Sequence, residues 1–188
     1  MKQRSTRTRT VRAALAVDSA HRAVVPPVYL STNYAFDGFG GKGGYDYSRS
    51  GNPTRDQLGE ALAALEGGVG AVVTASGMGA VSVVLHQQCK AGDLVLAPHD
   101  CYGGTVRLLL ALERQGALQV RFVDFTDPED FSAALALQPK LVWIETPSNP
   151  LLRITDLTKV VGEANARSEE HTSELQSLAY LVCRLLLE

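Results

Sequence analysis

Ala71-Val72-Val73-Thr74-Ala75-Ser76-Gly77-Met78-Gly79-Ala80 is the stretch on which the fold turns. A short β-branched run ends in small residues, and over residues 78–88 the apolar positions then fall at helical spacing. A buried strand that turns directly into a helix has this pattern. The alternation repeats downstream. Leu94-Val95-Leu96 reads as a strand, and residues 102–114 read as a helix with Leu108, Leu109 and Leu112 on one side. Residues 120–125 form the next predicted strand, and residues 128–137 a helix that Asp127 is placed to cap. Residues 141–145 are a further strand and residues 156–166 a further helix. Strands alternating with helices over short connections predict an α/β domain whose parallel sheet is covered on both faces.

Upstream the texture differs. Leu58, Leu62 and Leu65 mark one helix, which Gly67-Gly68 stops. Residues 1–55 show little periodicity and dense turn chemistry: Pro26-Pro27, Gly38, Gly40-Gly41, Gly43-Gly44 and Gly51-Asn52-Pro53. They predict an extended N-terminal arm ahead of an α/β domain over residues 56–166. Lys2, Arg4, Arg7, Arg9 and Arg12 lie among serines and threonines with no acid before Asp18. Transit peptides share that composition. Without a clear amphipathic stripe, a solvated leader is the simpler reading. Downstream, RSEEHTSELQS (167–177) continues no apolar periodicity, and it matches the translation of a widely used sequencing-library adapter. Residues 167–188 are therefore expected to be a non-native tail.

The totals narrow the function classes. The 188 residues are 45% hydrophobic and 20% charged, the profile of one soluble globular domain. A net charge of -2 gives no electrostatic reason to expect nucleic acid or an anionic membrane as partner. No apolar run is long enough to span a bilayer, and the longest near the C-terminus, 178–187, is interrupted by Arg184. Cys89, Cys101 and Cys183 make neither an even disulfide framework nor a metal knuckle. A reduced, cytoplasmic protein is expected.

Four clusters carry candidate chemistry. Ser76, Gly77 and Met78 join a strand to a helix, where unpaired N–H groups and the positive dipole end suit a phosphate. Small residues at such a turn also serve plain packing. Tyr47 and Arg49, two apart on extended chain, project to one side and can grip a phosphate together. A surface salt bridge is an equal reading of the same residues. Tyr102 follows a predicted strand, where ligands collect in open α/β sheets, and its flanking glycines leave room for a planar ring. His99 and Cys101 beside it suggest metal or a nucleophile, but no second pair accompanies them, so no metal site is predicted. Asn149 lies between Pro147 and Pro150, which stiffen the loop and fix the amide's direction, although a structural turn needs the same residues.

The order of these motifs is more specific than any one of them. YSRSGNPTR (47–55), ALAALEGG (61–68), TASGMGA (74–80), APHDCYGG (97–104) and ETPSNPLLRITD (145–156) follow one another as in the cystathionine γ-synthase family of pyridoxal-phosphate enzymes. The resemblance spans about residues 25–166. It implies an incomplete large domain of the aspartate-aminotransferase-like fold (fold type I), with pyridoxal 5'-phosphate as cofactor and a homotetramer in the full-length family. Tyr47 and Arg49 match arm residues that reach the cofactor phosphate of a neighbouring subunit. Ser76, Gly77 and Met78 match the phosphate cradle, Tyr102 the catalytic ring stacked on the pyridine, and Asn149 the amide near the cofactor's phenolic oxygen. Arg107 is implied to face the distal end of the substrate.

The implied reaction joins cysteine to an O-acylhomoserine to give cystathionine. Methionine γ-lyase and O-acylhomoserine sulfhydrylase chemistry are the alternatives within the family, and a non-catalytic phosphate-binding module is the alternative outside it. Lys2, Lys42, Lys90, Lys140 and Lys159 are the lysines present, and none stands in the family's serine-x-threonine-lysine setting. The Schiff-base lysine is thus expected to be absent, and the 188-residue chain inactive by itself. Thr158-Lys159 is expected on a helix with its lysine on a solvated face. The resemblance also implies a first strand at 71–73 without a partner, a fourth strand with an exposed apolar edge, and no stable tetramer of this chain.

Overall fold

The computed structural model describes residues 5–13, 15, 18–41, 43–167 and 173–176. Cys183, Lys2, Lys42 and the apolar stretch 178–187 lie outside them. The chain divides into two compact units, Met1–Val73 and Thr74–Glu188.

In the first unit the arm is not wholly irregular. Ser5 caps a short helix, α1 (Thr6–Val11), by accepting from the Thr8 N–H. Residues 32–48 fold back on themselves through Tyr34 N–H to Asp46 O (3.0 Å), Ser48 N–H to Thr32 O (2.9 Å) and a bridge between Asn33 and Tyr47. The helix read from Leu58, Leu62 and Leu65 is α2 (Pro53–Glu66), which begins inside the turn-rich segment. Asn52 explains this start: its side chain accepts from the Thr54 and Arg55 N–H groups, and Pro53 brings a preset φ to the first helical position. Gly67, at φ 75°, closes the helix in the left-handed region that only glycine enters freely. Ala71-Val72-Val73, expected as a strand, has no ladder partner among the described residues, and Val72 is 77% exposed. A strand exists by exchanging N–H and C=O with a neighbour, and here no described neighbour does so.

The second unit holds α3 (Gly77–Gln88), β1 (Leu94–Pro98), α4 (Gly103–Arg114), β2 (Gln119–Val123), α5 (Pro128–Leu135), β3 (Leu141–Glu145), α6 (Leu157–Arg167) and β4 (Ser173–Gln176). The strands run in the order β2-β1-β3-β4, and every pairing is parallel. Both faces are covered, as the alternation predicted. On one face Val95, Ala97, Leu141 and Trp143 pack with Val81, Val84 and Leu85 of α3 and Leu109 and Leu112 of α4. On the other, Leu96, Val123, Val142 and Ile144 meet Phe131, Ala134 and Leu135 of α5 and Val160 of α6. Each Val, Leu, Ile or Phe among them contributes about 1.5–3 kcal/mol when fully buried. Asp127 caps α5 by accepting from the Glu129 and Asp130 N–H groups.

One expectation about the sheet is corrected. The outer edge of β3 is not bare, because Val142, Trp143, Ile144 and Glu145 pair with Ser173, Glu174, Leu175 and Gln176. Backbone pairing asks little of the pairing sequence, so residues without apolar periodicity can still fill an edge.

Candidate functional site

The carboxyl ends of β1, β2 and β3 point to one end of the second unit, and the loops that leave them build the site. Glu145, last in the otherwise apolar strand LVWIE, is 5% exposed. Its carboxylate accepts from the Tyr102 N–H (2.6 Å), the Thr105 hydroxyl (2.9 Å) and the Trp143 indole N–H (3.0 Å). Tyr102 stands at the N-cap of α4 and supplies no side-chain cap of its own. The buried carboxylate therefore satisfies the start of α4 from below, at the positive end of its dipole.

The start of α3 is built differently. Ser76 caps it, its hydroxyl oxygen accepting from the Gly79 N–H at 3.1 Å. The N–H groups of Gly77 and Met78 belong to the same first turn and have no carbonyl one turn back. Gly104 brings the two helix starts together. A Cβ on it would collide with the Tyr102 ring and lie 2.9 Å from Met78 Sδ. The bare glycine thus lets the Tyr102 ring and the Met78 thioether close over one point. Tyr102 remains 47% exposed, with ring surface free for a planar ligand.

After β3, the turn over residues 146–155 carries Asn149, which is exposed, between cis peptide bonds at Thr146-Pro147 and Asn149-Pro150. The turn is tied down on either side of that amide. Ser148 is 2% exposed and donates to Asp100 Oδ2 at 2.6 Å, while its oxygen accepts from the Arg153 N–H at 3.1 Å. The Arg153 guanidinium reaches Asp100 (3.8 Å), Asp124 (3.4 Å) and His99 Nε2 (3.3 Å). His99 Nδ1 faces Val123 O at 3.3 Å, which assigns the proton to Nδ1 and leaves Nε2 to accept from Arg153. Asp124 is held below the usual carboxylate range, first by the Thr126 hydroxyl and, less strongly, by the charge of Arg153. One arginine thus links the loops that follow three strands.

Cys101 is buried, and burial together with the nearby Glu145 charge pushes its thiol up to about 12. Such a thiol is protonated and inert, so it is no nucleophile. Arg107 is exposed on α4, with its guanidinium nitrogen 3.3 Å from where a Cβ on Gly103 would sit. In the first unit, Arg49 donates to the Tyr47 hydroxyl at 2.9 Å and its guanidinium carbon lies 5.2 Å from the Tyr47 ring centre. The two side chains do project together, as their spacing predicts. Ser76, Met78 and Tyr102 are gathered at one place, and the Asn149 turn is joined to the Tyr102 loop through Ser148 and Asp100.

The family described as "Cys/Met metabolism PLP-dependent enzyme" matches residues 7–172. The chain belongs to it. The family match begins well before the motif-based resemblance and takes in much of the basic leader. Cystathionine gamma-synthase of Escherichia coli strain K12 is 52% identical over 150 residues, covering 80% of this chain and 39% of that protein. Cystathionine gamma-lyase of Bos taurus is 43% identical over 136 residues, 72% of this chain and 33% of that protein. The crystal structure of cystathionine gamma synthase from Xanthomonas oryzae pv. oryzae in complex with cystathionine is 51% identical, with a TM-score of 0.88 over 93% of this chain and 45% of that one. The chain therefore spans less than half the length of the relatives it matches, and its sheet is part of a fold type I domain.

The residues present fit the cofactor that this family uses. A helix start with uncommitted first-turn N–H groups suits its phosphate, and an exposed ring beside a side-chain-free glycine suits its heterocycle. Inspection of the sequence alone missed Glu145, Thr105, Asp100, Ser148 and Arg153. An acid closing a five-residue buried strand was the available signal for Glu145.

Proposed function

We propose that this chain is the cofactor-cradling part of an enzyme that replaces the γ-substituent of an O-acylhomoserine with cysteine, forming cystathionine. The observation that carries this reading is the convergence of the α3 start, Met78 and the Tyr102 ring over Gly104. The relatives support it: synthases are 52% and 51% identical to this chain, against 43% for the bovine lyase.

Pyridoxal phosphate, when bound, acts as an electron sink for negative charge developing on the substrate carbons. The chain's own residues bind and orient. The Gly77 and Met78 N–H groups take the phosphate, with Ser76 holding the turn in shape. Tyr102 lies against the heterocycle and Asn149 donates to its phenolic oxygen. Arg107, a fixed positive charge, faces the distal end of the substrate. Tyr47 and Arg49 serve the phosphate of a neighbouring copy in a homotetramer. No described helix is long and apolar enough to cross a membrane, and we place the enzyme in the cytoplasm.

The 188-residue chain itself is proposed to be inactive. Lys159 is exposed on α6, and no lysine in the sequence occupies the serine-x-threonine-lysine setting. We further propose that residues 1–55 form an arm, residues 56–166 the partial domain, and residues 167–188 a non-native addition.

The test is a chimera in which residues 7–166 replace the matching segment of the Escherichia coli relative. Assay with O-succinylhomoserine and cysteine, with sulfide in place of cysteine, and with no acceptor separates synthase, sulfhydrylase and lyase chemistry. Cystathionine as the main product is expected. A chimera that turns over only without acceptor would sink the synthase reading.

A further inference from the structure

Glu145 is a buried acid whose three hydrogen bonds come from neutral donors, on β3 itself, at the N-cap of α4 and in its first turn. Desolvating a carboxylate costs several kcal/mol, and this one spends its acceptors on three donors that would otherwise be left unpaired. The cost points to a task that an apolar residue cannot perform. The Tyr102 N–H is held by this carboxylate at a helix start that has no side-chain cap of its own. Fixing that N–H fixes the peptide plane from which the Tyr102 Cα departs, and so narrows where the ring can lie. The ring then rests on Gly104 beside Met78 Sδ.

We propose that Glu145 is a positioning residue, which aims the Tyr102 ring by holding its backbone N–H from beneath the site. The proposal rests on the reading that Tyr102 faces the cofactor, and it assigns the carboxylate a role in setting that ring's angle.

The reporter is the methyl group of Met78. The chain has two methionines, Met1 and Met78, and the Met78 Sδ lies beside the Tyr102 ring at Gly104. In the 188-residue chain labelled with ¹³C-methyl methionine, the Tyr102 ring current displaces the Met78 signal, and Tyr102→Leu shows where the undisplaced signal lies. Methyl signals persist in large assemblies, so self-association does not hide them. Glu145→Gln keeps the side chain's size but exchanges an acceptor oxygen for a donor. It is expected to move the Met78 signal at least halfway to the Tyr102→Leu position. In a second sample with ¹³C-labelled phenylalanine, signals of the edge-to-face pair Phe125 and Phe131, on the other side of the sheet, stay in place. Thr105→Val removes one donor to Glu145 at nearly constant volume and is expected to move the signal the same way, by less.

An unmoved Met78 methyl in folded Glu145→Gln overturns the proposal. Where that variant does not fold, an unmoved signal in Thr105→Val overturns it instead. Pyridoxal phosphate titrated into the wild-type chain tests the cofactor reading separately: if it leaves the Met78 methyl unchanged, that reading fails while the effect of Glu145 on the ring still stands.

Discussion

At the scale of single residues, titration divides the molecule into an alkaline and an acid liability. The Cys101 thiol is raised from an ordinary value near 9 to about 12 by burial and by Glu145. Below pH 9 the folded and unfolded chains both hold this proton. Between pH 9 and 12 only the folded chain does, so unfolding releases a proton and stability falls as pH rises. The loss from this group is about 1.4 kcal/mol by pH 10. Urea midpoints at pH 8 and pH 10 are expected to differ less in Cys101→Ala than in the wild type. Asp124 works in the opposite sense. Its carboxyl is lowered from 3.8, so its contribution is present above that value and disappears as pH falls through the folded value. Asp124→Asn is expected to flatten the acid limb of a pH–stability curve, and an unchanged limb would remove Asp124 from the Arg153 cluster's energetics.

At the scale of elements, caps decide where helices start, and these were the parts most readable in advance. Asp127 and Pro128 announced α5, and Met78 to Gln88 announced α3, because cap chemistry and helical spacing are local. Strand β3 was legible to its last residue, since its apolar run is too short for a helix and is flanked by Pro139 and Pro147. Ala71-Val72-Val73 looked equally like a strand but pairs with nothing described, and pairing is a non-local property that no window of sequence contains. Glu145 was legible as a strand end and not as an anchor, because two of its three partners, Tyr102 and Thr105, lie about 40 residues upstream. The Ser76 to Met78 turn and Tyr102 were each ambiguous until Gly104 placed them together. Ser76→Ala should cost about 1 kcal/mol, the usual cost of a lost cap. Asn52→Ala should cost more, because Asn52 caps α2 and also places its amide nitrogen 3.1 Å from both Tyr29 O and Ser48 Oγ. Equal urea midpoints for the two variants would show that those arm contacts add nothing.

At the scale of the whole molecule, exposed apolar side chains set the behaviour in solution. Val69, Val72, Leu30 and Phe39 are between 77% and 112% exposed, far beyond what a finished surface of this size needs. The purified chain is expected to scatter light increasingly with concentration and to melt broadly; a sharp cooperative melt with a tetramer by light scattering would contradict this. Pyridoxal phosphate followed by borohydride is expected to label no lysine selectively: peptide mass mapping should find the adduct spread over exposed lysines such as Lys159, rising with reagent concentration without saturating at one site. The parallel ladder of β2, β1 and β3 has a further consequence for synthesis. Its strands are all drawn from residues 94–145, so they need close only modest loops to find one another. A nascent chain is therefore expected to begin folding soon after Glu145 clears the ribosomal exit tunnel, while Ala71-Val72-Val73 waits unpaired. An arrest-peptide force profile should show a tension peak at that length, and its absence would mean that the ladder cannot assemble during translation.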